Sequence, residues 1–348
     1  MPRPSPPRAQ VDFSASVSDA LLEDLGVTKG SRTLISHTQR SAVLSRLDGE
    51  SYVCHAGGSL SNTLVALARL GGDTAHVSLA AAVGSDALGG FYRAQMRAAG
   101  VHVQAAPSPP SGTGTVVVLT TPDAQRTMLA YLPGASGASG QEGLGLGKRG
   151  AAAEEANLLL VEGYLLEQPD AVEAICEAIV AARRAGALVA LTCADVGVVR
   201  AHGAAFRAVL EAGVDVLFAN ADEGMQLAHA SDARDAAQAL ALGTTVAVVT
   251  DGSRGAYLAT AGGACVVHAP PFWMPDAPVD TCGAGDAYAA GVLHGLLRGA
   301  SLHHTGAFAA RVAAAVIARH GARLAETDAS RLAELFPTLA ADPQSLDA

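Results

Sequence analysis

Two segments of the chain put glycines and a single acid or amide at the start of a helix, where an anion can be held and a proton moved. The stronger is Asp280-Thr-Cys-Gly-Ala-Gly-Asp286. Gly283, Ala284 and Gly285 leave backbone N–H groups unobstructed at the helix N-terminus, and these groups with the helix dipole suit a phosphoryl group in transfer. Asp286 falls in the first turn, beside that anion. A carboxylate there can take the proton of an attacking hydroxyl, a contribution of about 10²–10⁴-fold. The second segment is Ala56-Gly-Gly-Ser-Leu-Ser-Asn62. Gly57 and Gly58 allow a ligand close to the backbone. Asn62, one turn in, carries both donor and acceptor and suits a polyol or ribose.

Two weaker patterns follow strand-like runs. Asn220-Ala-Asp-Glu223 comes after VDVLFA, where Glu223 can hold Mg²⁺ through water. Thr250-Asp-Gly-Ser-Arg-Gly255 comes after TVAVVT, a turn able to border nucleotide phosphates. Each pattern alone reads more readily as a helix cap or a plain turn. Gly145-Leu-Gly-Lys-Arg-Gly150 fits a dinucleotide fingerprint in spacing only, because it follows a Gly/Ser loop and precedes a strand.

The elements needed to position these residues are legible. Continuous apolar runs at 157–162, 187–192, 214–219 and 245–250 alternate with helical stretches such as 171–184 and 204–212. That rhythm predicts a parallel sheet covered on both faces, with ligands beyond the carboxyl ends of its strands. Earlier, 115–121 and 126–132 are β-rich and flank a Pro122-Asp turn, a hairpin signal. Helices are expected at 59–70, 89–99, 284–298 and 305–319. Residues 1–10 read as a Pro-rich tail, 11–337 as the folded domain and 338–348 as an acidic tail.

The 348 residues are 50% apolar and 16% charged, with a net charge of −10, which supports a globular core and argues against nucleic-acid or anionic-membrane partners. Mean hydropathy is +0.28, raised by alanine, and no apolar stretch reaches the length of a membrane span. Five dispersed cysteines without Cys-x-x-Cys point to a reducing, cytoplasmic setting. The only lysines are Lys29 and Lys148, which argues against a lysine phosphate clamp.

The patterns occur together and in a fixed order: Gly57-Gly58-x-x-x-Asn62, Val83-Gly-Ser-Asp86 with Gly89, Asn220-x-x-Glu223, Thr250-x-Gly252-x-x-Gly255 and Asp280-Thr-x-Gly-Ala-Gly-Asp286. In this the chain resembles the ribokinase-like (PfkB) kinases over about residues 11–324. Val17-Ser-Asp19, Thr28-Lys-Gly-Ser31, Arg126-Thr-Met128, Glu162-Gly-Tyr164 and Gly321-Ala-Arg-Leu324 are similar to the adenosine-kinase-like branch. The resemblance implies an α/β fold with a central, mostly parallel sheet, helices on both faces and a small β-lid, here drawn from parts of 11–50 and 101–133.

It also implies ATP and Mg²⁺ as cofactors, allows a monovalent cation, and makes a nucleoside or sugar the acceptor for a monomer or homodimer. Asp286 would be the base and Gly283–Gly285 the anion hole. Asp12, Gly57, Gly58 and Asn62 would hold the acceptor; Arg126, Asn220, Thr250, Gly252 and Gly255 would border ATP; Glu223 would order the metal. A nucleoside kinase is the leading expectation. A sugar kinase stays open, and so does a ligand-binding relative of weak turnover, because Met1–Ala9 lacks the strand with which the family begins.

Overall fold

The computed structural model describes residues 9–47, 52–105, 112–123, 125–132, 156–168 and 171–341. The Gly145–Gly150 segment and most of both expected tails lie outside the described residues. The first part of the chain comprises strand β1 (Gln10–Ser16), helix α1 (Asp19–Asp24), strand β2 (Arg32–Leu34), helix α2 (His37–Arg46), strand β3 (Tyr52–Gly57) and helix α3 (Ser59–Gly71). Strand β4 (Val77–Ala81), helix α4 (Ala87–Ala98) and strands β5 (Val101–Ala105), β6 (Gly114–Thr120) and β7 (Arg126–Tyr131) follow. Five of these strands form a sheet in the order β2-β7-β6-β1-β3, and this sheet is the β-lid.

The lid differs from the sequence expectation in three ways. Gln10, placed in the tail, is the first residue of β1 and pairs with Gly57 on one side and Gly114 on the other. Strand β3 joins the lid from beyond residue 50. Strand β5 does not join it and instead pairs in parallel with β4. A strand's partners are set by hydrogen bonds to distant chain, which a local pattern does not specify.

Alternation gives the lid two unlike faces. Val11, Phe13, Ala15, Val117, Leu119 and Leu129 are buried in the core beneath one face. On the other, register aligns Asp12 with Val116 and Val116 with Ala130. The next rows are Ser14, Val118 and Met128, then Ser16, Thr120 and Arg126. Cross-strand partners share a face, so an apolar patch lies between Asp12 and Arg126.

The main sheet is built from β8 (Leu158–Glu162), β9 (Leu188–Thr192), β10 (Val216–Asn220), β11 (Val246–Thr250), β12 (Ala256–Thr260) and β13 (Val266–Ala269). β8 to β11 run parallel, and β12 and β13 add antiparallel strands at one edge. Its helices are α5 (Ala171–Arg184), α6 (Val196–Glu211), α7 (Ala221–Ala228), α8 (Ala233–Leu240), α9 (Ala284–Leu297), α10 (Leu302–Ile317) and α11 (Glu326–Ala341). Val216, Phe218, Val246 and Val248 pack toward α3, α9 and α10, whereas Leu217, Ala219, Ala247 and Val249 pack toward α5, α6 and α8. Both faces are therefore covered, which is why these strands read as unbroken apolar runs.

The boundary expected at residue 337 falls inside α11, which continues through Pro337 to Ala341. Interior proline costs roughly 3 kcal/mol. Burial of Ala329, Leu332 and Phe336, spaced on one helical face, offsets it.

Phe336 also closes a ring cluster. His294 of α9 stacks on Phe308 at 5.3 Å and meets Phe336 edge-on at 4.9 Å, and His304 lies 4.7 Å from Phe336. Arg298 Nη1 lies 3.2 Å from His294 Nδ1, and a guanidinium can only donate there, so the ring accepts and is neutral. Burial, then Arg298, pushes the His294 pKa down from 6.5 to about 4. Burial also lowers His304, with Arg311 adding to the shift and the Phe336 backbone opposing it. A depressed histidine costs nothing above its unfolded pKa and destabilises progressively as pH falls below it. His294 is thus expected to withdraw about 2 kcal/mol of stability between pH 7.5 and 5. Urea midpoints of wild type and His294→Leu, compared at both pH values, isolate this group. An unchanged difference between the two proteins would remove His294 as the cause.

Candidate active site

The loop before α9 is shaped by Asp280. Its Oδ1 accepts from Cys282 N at 2.9 Å and its Oδ2 from Gly321 N at 3.1 Å. Gly283 caps the helix with φ 77°, and a Cβ there would lie 2.3 Å from the Ala322 carbonyl oxygen, so only glycine lets the loop lie against the 321–324 segment. A Cβ on Gly285 would meet nothing within 4 Å, so the backbone there borders open space.

Asp286 points from the first turn of α9 to the first turn of α3. Its Oδ1 accepts from Ser59 Oγ at 2.6 Å and its Oδ2 from Asn62 Nδ2 at 2.9 Å. Burial raises its pKa above the usual carboxylate value, while these two hydrogen bonds pull it back. α3 begins at Gly58, φ 98°, without a side-chain cap of its own. Its Leu60 N–H is met instead by Glu162 Oε1, 3.2 Å away at the carboxyl end of β8.

Asp12 lies against Gly57 so closely that a Cβ on Gly57 would sit 2.1 Å from the Asp12 carboxyl atoms. Asp12 Oδ1 is shut off from water and has no hydrogen-bond partner among the described residues. Burial raises the Asp12 pKa to about 7; Arg323 opposes this and Asp286 adds to it. The Arg323 guanidinium donates to the Ala56 carbonyl oxygen and lies 3.2 Å from Met96 Sδ.

Across the main sheet, register sets Asn220 beside Thr250 at the ends of β10 and β11. Asn220 and Glu223 form a capping box. Asn220 N donates to Glu223 Oε2 at 2.9 Å, Asn220 Nδ2 to Oε1 at 2.7 Å, and Glu223 N to Asn220 Oδ1 at 2.9 Å. Burial lifts Glu223 to about 7, against its Asn220 backbone bond and with the neighbouring carboxylates Asp195, Asp222 and Asp286 adding to it. Beyond Thr250, Gly252 (φ 57°) borders open space, whereas a Cβ on Gly255 would sit 2.2 Å from the Ala269 carbonyl oxygen. Gly252 is therefore free to face a ligand, and Gly255 is held by packing.

Two arginines tie the lid to the body. Arg126 Nη2 donates to Thr281 Oγ1 at 2.7 Å, and Nη1 pairs with Asp280 at 3.1 Å. Arg32 lies 4.7 Å above the Tyr164 ring and 3.6 Å from Glu167. The Asp12 and Arg126 face of the lid thus looks onto the loop before α9.

Asp286, Asn62, Gly57 and Asp12 are brought together, and Asn220, Glu223, Thr250 and Gly252 meet at neighbouring strand ends. From the sequence Ser59 reads as the cap of α3, whereas Gly58 takes that position and Ser59 instead meets Asp286. Glu162 and Arg323 stand out in the sequence only as members of Glu162-Gly-Tyr164 and Gly321-Ala-Arg-Leu324; what they touch depends on contacts far along the chain. Among the described residues, no cluster of three or more His, Cys, Asp or Glu forms a direct metal cage, and no helix is long and apolar enough to cross a membrane. The five cysteines are unpaired.

No curated protein matches the chain significantly. An adenosine kinase from Sinorhizobium meliloti shares 29% identity at TM-score 0.81, over 96% of this chain and 99% of that one. A probable sugar kinase from Rhizobium etli shares 28% at TM-score 0.82, over 97% and 100%. Adenosine kinase from Anopheles gambiae, solved with a di(adenosine) tetraphosphate, shares 25% at TM-score 0.77, over 90% and 94%. The model of the pfkB family of carbohydrate kinases matches residues 31–329. With that match over most of its length and an aspartate in the glycine-lined first turn of α9, this chain belongs to the pfkB carbohydrate kinase family and is an ATP-dependent kinase.

Proposed function

We propose that the chain transfers the γ-phosphoryl group of ATP to the primary ribose hydroxyl of a nucleoside of the adenosine class. The observation that carries this reading is the lid face. Half-buried Val118 and Met128, backed by the buried Val116 and Ala130, form an apolar patch between Asp12 and Arg126, suited to covering a flat base. A free sugar has hydroxyls on every side and would leave that patch without a partner.

In this reading Asp12 accepts from the ribose hydroxyls, and Ser59 and Asn62 hold the Asp286 carboxylate where it takes the proton of the primary hydroxyl. The N–H groups of Gly283–Gly285 stabilise charge on the transferring phosphoryl, which makes catalysis mainly positioning and electrostatics. Arg126 exchanges Asp280 and Thr281 for phosphate. The lid keeps water from the reacting groups. Asn220, Thr250 and Gly252 border ATP.

The donor set fits magnesium held indirectly. Both Glu223 oxygens are engaged by Asn220 and no carboxylate cage surrounds them among the described residues, so Glu223 would act on an ion that keeps its waters. Such an ion, when bound, offsets phosphate charge. Glu223→Gln is expected to raise the Mg²⁺ concentration for half-maximal rate several-fold, with little change in kcat at saturation. An unchanged Mg²⁺ titration would make Glu223 a cap and nothing more.

A coupled ADP-release assay over nucleosides and sugars tests the acceptor. Adenosine is expected to exceed ribose and fructose in kcat/KM by about tenfold or more, the worth of a single good contact difference. Ribose or fructose turning over better than adenosine, inosine and guanosine would favour a sugar kinase, in keeping with the Rhizobium etli relative.

A further inference from the structure

We propose that Glu162 is a positioning residue: from the end of β8 it caps the N-terminus of α3, and so sets where Ser59 and Asn62 hold the base, Asp286. The proposal rests on the reading of Asp286 as the base of phosphoryl transfer.

The first N–H groups of any helix lack intrahelical partners and need another acceptor. In α3 that need is acute. Leu60 and Ser61 are buried, so water does not serve their N–H groups, and Gly58 has no side chain to offer; the Asn62 N–H already donates to the Gly58 carbonyl oxygen at 3.1 Å. Glu162 Oε1 supplies the acceptor to Leu60 N at 3.2 Å across a separation of 102 residues. The residues on either side of Leu60 in the same turn are the ones that matter chemically: Ser59 at 2.6 Å and Asn62 at 2.9 Å from the two Asp286 oxygens. The main sheet is thereby connected to the base through one helix turn, β8 to α3 to α9. Loss of the cap lets that turn fray, and displacement of both Asp286 partners follows.

Glu162 also faces Asp286 electrostatically. Burial raises its pKa to about 7, the Leu60 N–H and Arg32 lower it, and Asp286 and Glu167 raise it further. Tyr164 on the same turn also senses its charge. Coulomb coupling is mutual, so an ionised Glu162 makes Asp286 harder to ionise. A cap with no link to the base would not have this consequence.

The test compares full-length wild type, Glu162→Leu and Glu162→Gln. Hydrogen–deuterium exchange at the first amides of α3 is followed without ligand; kcat, both KM values and the pH profile are taken with the best acceptor of the panel. Glu162→Leu is expected to speed that exchange, to lower kcat about tenfold or more through misplacement of the base, and to leave the KM for ATP unchanged. Glu162→Gln keeps an amide oxygen for Leu60 N–H, so exchange and most of kcat are retained.

Wild-type kcat in Glu162→Leu overturns the proposal. So does equal damage in both variants, which would mean that the carboxylate acts on the acceptor itself. Should wild type phosphorylate nothing in the panel, the proposed function fails by itself, and unchanged α3 exchange in Glu162→Leu still overturns the cap.

Discussion

Asp286→Asn is expected to lower kcat by about 100-fold or more while the protein remains folded, because a general base is lost and the helix start is kept. The surroundings explain why the fold tolerates it. Ser59 Oγ can still donate to the carbonyl oxygen of the new amide, and Asn62 can turn its own amide to present its oxygen to the new NH₂. No buried donor or acceptor is then stranded, so the cost in stability is small. Residual activity should persist, since the N–H groups of Gly283–Gly285 and the bound orientation of ATP are untouched. Rates of the purified variant, alongside its thermal unfolding, check both halves. Near-wild-type turnover would remove Asp286 from the mechanism. In wild type, burial places the Asp286 pKa above the ordinary carboxylate value. A base must be ionised to act, so kcat should fall as pH drops through that raised pKa.

Asp12→Ala is expected to raise the acceptor KM by at least about tenfold, and to leave the KM for ATP nearly unchanged. Hydrogen bonds to a charged group contribute roughly 1.5–3 kcal/mol each, and about 1.4 kcal/mol is one decade of affinity. The buried Asp12 Oδ1 against Gly57, without a hydrogen-bond partner among the described residues, is the physical basis: a carboxylate desolvated ahead of its ligand has hydrogen-bonding capacity to give. Its pKa of about 7 adds a pH signature. The acceptor is bound by the ionised form, so acceptor KM should rise as pH falls below about 7 in wild type and stay flat in Asp12→Ala. Arg323 is the cation that opposes the burial of Asp12, so Arg323→Leu should shift that rise to higher pH. Identical acceptor KM values in wild type and Asp12→Ala, at pH 8 and 6, would show that the site is built without Asp12.

Much of the fold could be read locally. β8 to β11 are short apolar runs because helices cover both faces, and α3 and α9 announce themselves by glycines at their starts. Such signals depend only on near neighbours, through backbone freedom, helix period and the needs of a helix end. The glycines at 57, 58, 283 and 285, and the acids at 223 and 286, were therefore visible as chemistry in the sequence, whereas Asp12 entered only through the family resemblance. α11 was not, since Pro337 locally reads as a stop and only the burial of Phe336 and Leu332 against other helices overrides it.

Tertiary structure alone decided what these residues do to one another. Ser59 and Asp286 are 227 positions apart and share a hydrogen bond; Glu162 caps a helix 102 positions before it; Arg323 reaches the Ala56 carbonyl across 267. The pairing of β1 with β3 and β6, which brings Asp12 to Gly57 and sets an apolar patch beside it, is likewise a choice among distant partners. Sequence determines which groups are available and which local shapes they favour. Burial and electrostatic coupling arise only when distant segments close around the same small volume, and they lift Asp12, Glu162 and Glu223 to about 7 and raise Asp286 above the ordinary carboxylate value.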